Sequence, residues 1–281
     1  MPQTLYEYGG SGAVLHLAVA NGFPPQTYIP LLQPLTGGYR VLSLPPRPLW
    51  TDPPAPQSAP SWHTLADDLL AGLRQHNLTD VIAIGHSVGG TASLAAAAKD
   101  PSQFRGLVLL DPTIFTPLRL RVIALMQFLG QGGRMPLVQG ALRRRARFDS
   151  VDEAYTYWRG KRLFHDWSDE GVRRYAESMT RPTADGSGGE LAWSPRWEAH
   201  YYSTLMTDTW RHIRRLPKTL PLLVVRGAQS DTFLPPAAEK LRRTLPHMDY
   251  AEVPGHGHLF PQAAPDETRA ILEAWLVRHT P

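Results

Sequence analysis

Six short apolar runs rich in β-branched residues, at 13–18, 39–44, 81–85, 107–111, 222–226 and 248–253, alternate with stretches patterned as helices. Runs of this length read as strands buried on both faces, the condition of strands in a parallel sheet. The helical stretches are 25–35, 62–76, 87–99, 235–245 and 267–278. In 62–76, Leu65, Leu69, Leu70 and Leu73 recur at helical spacing behind a capping Ser61. Alternation of strand and helix predicts an α/β fold, a mostly parallel, doubly wound sheet with crossover helices on both faces.

The rhythm stops between Asp111 and Leu222. Residues 113–218 show no convincing strand and carry five of the eight tryptophans, together with 18 Lys and Arg against 11 Asp and Glu. The segments 118–129, 151–164 and 170–179 read as short amphipathic helices, and 184–189 as a mobile surface turn. The chain is thus expected to divide into a core, 1–112 and 219–281, and a helical cap insertion, 113–218. Apart from Arg143, Arg144, Arg145 and Arg147, the arginines are dispersed among aromatics and acids; with no nucleic-acid motif beside them, the basic segment reads as a solvated helix face. Residues 45–60 contain seven prolines, which favours an extended, semi-rigid connection leaving the carboxyl edge of the sheet.

Composition narrows the chemistry. There are no cysteines, so disulfides, thiolate metal sites and cysteine nucleophiles are excluded. No apolar run is long enough to span a membrane, and the first residues lack the basic and apolar regions of a signal peptide, so a cytoplasmic location is expected. The partner expected is a small molecule rather than nucleic acid, and oligomeric state is left open.

The run 81–84 leads straight into Gly85-His86-Ser87-Val88-Gly89, followed by a helix of small residues. A Gly-x-Ser-x-Gly turn between strand and helix thrusts the serine hydroxyl into a cleft, and the glycines admit the close approach of strand and helix. Ser87 is therefore the candidate nucleophile. It needs a base within hydrogen-bond reach, and a histidine suits proton exchange near neutrality. That histidine in turn needs a carboxylate to fix its tautomer.

Four motifs in order resemble the α/β-hydrolase superfamily: Asn21-Gly22-Phe23-Pro24 after the first clear strand, the turn at Ser87, Arg226-Gly227-Ala228-Gln229-Ser230-Asp231 after the strand that follows the insertion, and Gly255-His256-Gly257-His258 after the last strand. The resemblance runs from about Val14 to the C-terminus. It implies a Ser87, Asp231, His258 triad, with His258 favoured over His256 by its place after the second glycine. Asp111, at the end of the strand after the nucleophile helix, is the rival acid, although Asp111-Pro112 reads as a chain-turning motif. His86 reads as a packing or hydrogen-bonding residue. The resemblance also implies an oxyanion hole from the backbone N–H groups of Phe23 and Val88. Two departures stand out: Asn21 where the family commonly has His, and a short N-terminus, which together with the strand count predicts six or seven strands rather than eight.

The implied activity is hydrolysis of a carboxylic ester of a small to medium, mostly apolar substrate through an acyl-serine intermediate, without metal or organic cofactor. The same residues could serve thioester, lactone, amide or C–C hydrolysis, acyl transfer or perhydrolysis, since pocket shape and leaving group set the reaction. A non-catalytic ligand-binding relative is the alternative of a different class. Tyr155, Trp158, Phe164 and Trp167 either line the pocket or simply hold the insertion together.

Overall fold

The computed structural model describes residues 3–279; Met1, Pro2, Thr280 and Pro281, the ends of the expected core ranges, lie outside the described residues. Seven strands form the main sheet: β1 (Tyr6–Gly9), β2 (Val14–Ala18), β3 (Arg40–Ser43), β4 (Val81–His86), β5 (Phe104–Leu110), β9 (Leu222–Gly227) and β10 (Asp249–Val253). Their spatial order is β1-β3-β2-β4-β5-β9-β10. All neighbours are parallel except β1, which runs antiparallel to β3 at the edge. Every residue of β4 and β9 is buried, as expected of central strands covered on both faces.

The chain builds outward from β2 to β3 and then returns to place β4 on the other side of β2. That reversal opens a crevice at the carboxyl ends of β2 and β4, where open α/β sheets bind ligands. Four turns converge on this edge: residues 19–24 after β2, Ser87 after β4, Asp111 after β5 and the loop after β10.

The helices differ from the sequence pattern in detail. Residues 25–35 are not one helix but 3-10 turns around the four-residue helix Ile29–Leu32, because Pro30 and Pro34 interrupt the ladder. Ser61 is not the cap expected: Trp62 takes that position without a side-chain cap bond, and the Ser61 hydroxyl, one residue earlier, accepts the His63 N–H at 3.3 Å at the start of the helix His63–Gln75. The proline-rich stretch is extended, with single 3-10 turns at Arg47–Leu49 and Pro56–Ser58.

Between β5 and β9 the expectation of helix alone fails. Alongside the helices Pro117–Phe128, Pro136–Leu142, Val151–Arg159, Asp169–Met179, Pro195–Ser203 and Thr209–Ile213 lies a small antiparallel sheet of β6 (Arg147–Phe148), β7 (Thr180–Pro182) and β8 (Gly189–Leu191), in the order β6-β8-β7. Strands of two or three residues are too short to show a period of two, so the sequence hides them. The turn-rich patch at 184–189 joins β7 to β8 and lends Gly189 to the latter strand. Trp158, Trp167, Trp193, Trp197 and Trp210 are all buried. Phe164, Trp167 and Tyr175 form an aromatic cluster that reaches Phe23 of the core, with Phe23 and Tyr175 ring centroids 5.5 Å apart. The bland reading of these aromatics, holding the insertion together, is what their burial supports. By contrast, the helix Pro117–Phe128 presents Leu118, Val122, Leu125 and Phe128 to solvent.

Two histidines lie wholly inside the core. His16 on β2 accepts the Leu44 N–H at 3.1 Å, and burial lowers its pKa to about 3. His86 at the end of β4 is held well below the ordinary histidine range, first by burial and then by the neighbouring His258. Below about pH 6.5 the unfolded chain takes up protons at these rings, whereas the folded chain resists until far lower pH. Stability should therefore fall as pH drops from about 6.5 toward 3, by up to roughly 1.4 kcal/mol per pH unit for each ring. Denaturant titrations across this window should show the loss, with a shallower slope in a His16→Gln variant.

Candidate active site

Ser87 occupies the apex of the turn between β4 and the helix Val88–Lys99, with φ 57° and ψ −122°. For a non-glycine residue this is a strained backbone that persists only where its surroundings enforce it. The flanking glycines show how. A Cβ on Gly89 would lie 2.2 Å from the Ala18 carbonyl oxygen, and one on Gly85 would lie 2.6 Å from Gly90 Cα. Backbone thus meets backbone on both sides of the serine, and only glycine permits it. The Ser87 N–H donates to Leu110 O at 3.1 Å, and its carbonyl accepts the N–H groups of Thr91 and Thr113.

The Ser87 hydroxyl lies 2.9 Å from His258 Nε2, and His258 Nδ1 lies 2.6 Å from Asp111 Oδ2. A carboxylate can only accept, so Nδ1 carries the proton and Nε2 is free to accept from the serine. Asp111 is completely buried. Its Oδ1 accepts the Gly227 N–H at 3.0 Å, and its Oδ2 also accepts the Ser230 hydroxyl. Ser230 Oγ itself takes the N–H groups of Thr232 and Phe233, at 3.1 and 3.0 Å.

The acid expected from the sequence, Asp231, is not brought to His258. It is exposed, and its carboxylate accepts the Thr232 hydroxyl at 3.2 Å. The reason is topological. Strand β5 adjoins β4, so Asp111 emerges one strand from the nucleophile, with a left-handed φ of 40° that turns its carboxylate inward. Strand β9 lies one strand further out, and its loop contributes Ser230 and Gly227 as donors instead. Gly227 also leaves room for the histidine loop: a Cβ there would sit 2.3 Å from Gly257 O. His256 takes no part in the Ser87–His258–Asp111 chain; its backbone carbonyl accepts from the Gln229 N–H at 2.9 Å.

His86 is a hydrogen-bonding residue, as read from its position. Its Nε2 lies 3.0 Å from the backbone oxygen of His258, which can only accept, so Nε2 bears the proton and Nδ1 accepts from the Tyr28 hydroxyl at 2.8 Å. Tyr28 in turn accepts the Ala20 N–H at 3.1 Å. One relay therefore fixes both the histidine loop and the turn after β2.

Of the two oxyanion donors expected, Val88 heads its helix, so its N–H has no intrahelical acceptor. Phe23 differs: its N–H donates to Ala20 O at 3.2 Å, closing a tight turn with Gly22 at φ 82°. The insertion clamps this turn. Asn21 Nδ2 donates to Glu198 O at 3.0 Å, the Tyr175 hydroxyl to Gly22 O at 3.3 Å, and Arg144 pairs with Glu198 while donating to the Tyr175 hydroxyl at 2.7 Å. Burial works against the Arg144 charge, but Tyr175 and Glu198 outweigh it. Arg144 is thus a partly buried tie rather than part of a solvated face, because it finds a carboxylate across the insertion that the local pattern does not reveal.

A family model described as the alpha/beta hydrolase fold matches residues 16–261. The chain belongs to that family. It is 27% identical over 221 residues to 2-(acetamidomethylene)succinate hydrolase of Mesorhizobium japonicum, spanning 76% of this chain and 70% of the relative. Among solved structures it resembles an E-2-(acetamidomethylene)succinate hydrolase, with TM-score 0.79 and 21% identity over 97% of this chain and 94% of that one. It also resembles an alpha/beta hydrolase of Novosphingobium aromaticivorans, with TM-score 0.74 and 24% identity over 98% and 93%.

Sequence reasoning on this α/β-hydrolase missed Thr113, Tyr28, Ser230, Tyr175 and Glu198. The Thr113 hydroxyl lies 3.2 Å from Ser87 Oγ, a contact made only once the chain after β5 folds back over the nucleophile turn. A cavity of about 50 Å³ is lined in part by Val19, Leu69, Val88, Ala92 and Trp193, with neither Ser87 nor His258 in its wall.

The two carboxylates separate cleanly by experiment. Asp111→Asn should lower kcat by about 10⁴, the cost of losing the correct imidazole tautomer, while Asp231→Asn should leave kcat within twofold to threefold, as expected for an exposed surface change of about 0.5 kcal/mol. Steady-state kinetics on both variants, with thermal melts to confirm folding, would reveal a reversed order if the assignment is wrong.

Proposed function

We propose that this hydrolase cleaves a carboxylic acyl bond through an acyl-Ser87 intermediate, with His258 as general base and acid and Asp111 as its orienting carboxylate. The observation that carries the reading is the unbroken chain Ser87 Oγ, His258 Nε2, His258 Nδ1, Asp111 Oδ2, with steps of 2.9 and 2.6 Å. Ser87 Oγ attacks the substrate carbonyl carbon as its proton passes to His258 Nε2. The carbonyl oxygen becomes an oxyanion, which the Val88 N–H stabilises. Phe23 joins as second donor when its N–H leaves the neutral Ala20 oxygen for the charged one, an exchange favoured because charge-assisted hydrogen bonds are roughly twice as strong. Collapse of the intermediate breaks the bond to the leaving group, which takes the proton from Nε2. Water then attacks the acyl-enzyme, gives its proton to Nε2, and that proton returns to Ser87 Oγ as the acid is released.

A carboxylic ester of small to medium size is the bond this machinery serves most directly. A second reading, an amide C–N bond, is supported by the relative from Mesorhizobium japonicum, whose name describes an acetamido compound. Residues 113–218 act as the cap in either case, since they supply the clamp on the turn after β2.

A fluorophosphonate should add covalently at Ser87, detected by peptide mass spectrometry, and Ser87→Ala should abolish labelling and turnover. Matched esters and N-acyl amides sharing one acyl group would divide the two readings by kcat/KM. Unlabelled protein after long exposure would refute an activated serine.

A further inference from the structure

Away from the catalytic edge, three ligating side chains meet where the end of the insertion packs on the core. His63 opens the helix His63–Gln75, Asp208 precedes the helix Thr209–Ile213, and His212 lies on that helix four residues on, hence on the same face. His63 Nε2 is 2.9 Å from Asp208 Oδ1, and His212 Nε2 is 3.5 Å from Asp208 Oδ2. The ligating atoms of all three lie within 4.8 Å of one another.

These contacts are close without being hydrogen bonds. Asp208 Oδ1 and both ring nitrogens of His212 are buried and have no hydrogen-bond partner. His212 is only 4% exposed, and a buried polar group left without a partner costs about 1–3 kcal/mol. The arrangement therefore asks for something that takes lone pairs from several directions at once. Four ligands at 2.0–2.1 Å around a tetrahedral zinc ion stand about 3.3 Å apart, close to the 2.9 and 3.5 Å that separate the two rings from the two Asp208 oxygens in turn.

We propose that His63, Asp208 and His212 form a binding site for a divalent transition-metal cation of the zinc type, completed by solvent. Two imidazoles and one carboxylate are a donor set that such ions accept, leaving a position for water. The imidazoles must bind in their neutral form. Both His63 and the pair on the last helix of the insertion are ligands, so the ion would bridge insertion and core. Its binding should stabilise the folded chain by mass action.

Chelator-treated full-length protein titrated with Co²⁺ should develop visible absorption saturating at one equivalent, which Zn²⁺ then displaces. The unfolding midpoint should rise with zinc concentration. His63→Ala and Asp208→Asn, both at partly exposed positions, and His212→Gln should each weaken binding at least about tenfold, while His165→Ala on the exposed surface should leave it unchanged. Absence of saturable binding to the wild-type protein, or unchanged wild-type affinity in His63→Ala or Asp208→Asn, would overturn the site. The catalytic serine chemistry is independent of either outcome.

Discussion

A fully buried carboxylate between the ends of β5 and β9 organises the edge of the sheet that carries Ser87 and His258. Removing a charge from water is costly unless hydrogen bonds compensate, and Asp111 collects three, from Gly227, Ser230 and His258. Each donor belongs to a different loop or strand end, so satisfying one side chain aligns β9, its following loop and the loop after β10 with the nucleophile strand. The tautomer of His258 follows from that demand, with Nδ1 bearing the proton and Nε2 turned to Ser87.

The turn at Ser87 is legible in the sequence because its requirements are local. A buried strand, two glycines around a serine and a helix of small residues all lie within one short stretch, and the close contacts of Gly85 and Gly89 repeat what the residue types imply. The histidine was legible for a similar reason, being flanked by the glycines of its own loop. The acid was not. Both Asp111 and Asp231 lie between Ser87 and His258 in the chain, so order alone cannot choose between them. The choice depends on β5 being adjacent to β4, a fact of sheet order that no local pattern encodes. Asp111-Pro112, read as a turn, does turn the chain, and the left-handed backbone of Asp111 is the same feature that aims its carboxylate at the histidine.

The insertion illustrates the other limit. Three of its helices, Pro117–Phe128, Val151–Arg159 and Asp169–Met179, match segments read as helical, whereas Pro136–Leu142, Pro195–Ser203 and Thr209–Ile213 do not, and β6, β7 and β8 are too short to leave a signal. Its long-range polar ties were equally hidden. Trp62 Nε1 donates to Tyr201 O, Trp210 Nε1 to Phe115 O, and Asn21 to Glu198 O. Asn21 in particular looked like a departure from the family pattern, and its side chain proves to anchor the turn after β2 to the insertion.

The helix Val88–Lys99 is built almost wholly from Gly, Ala, Ser and Thr, and ten of its twelve residues are buried. A rod so slender lets sheet, flanking helix and insertion press against it from every side, with protein interiors too dense to absorb an added methylene there. A bulkier side chain therefore has no room along this central spindle, whereas the outer faces of loops and appended helices still have slack.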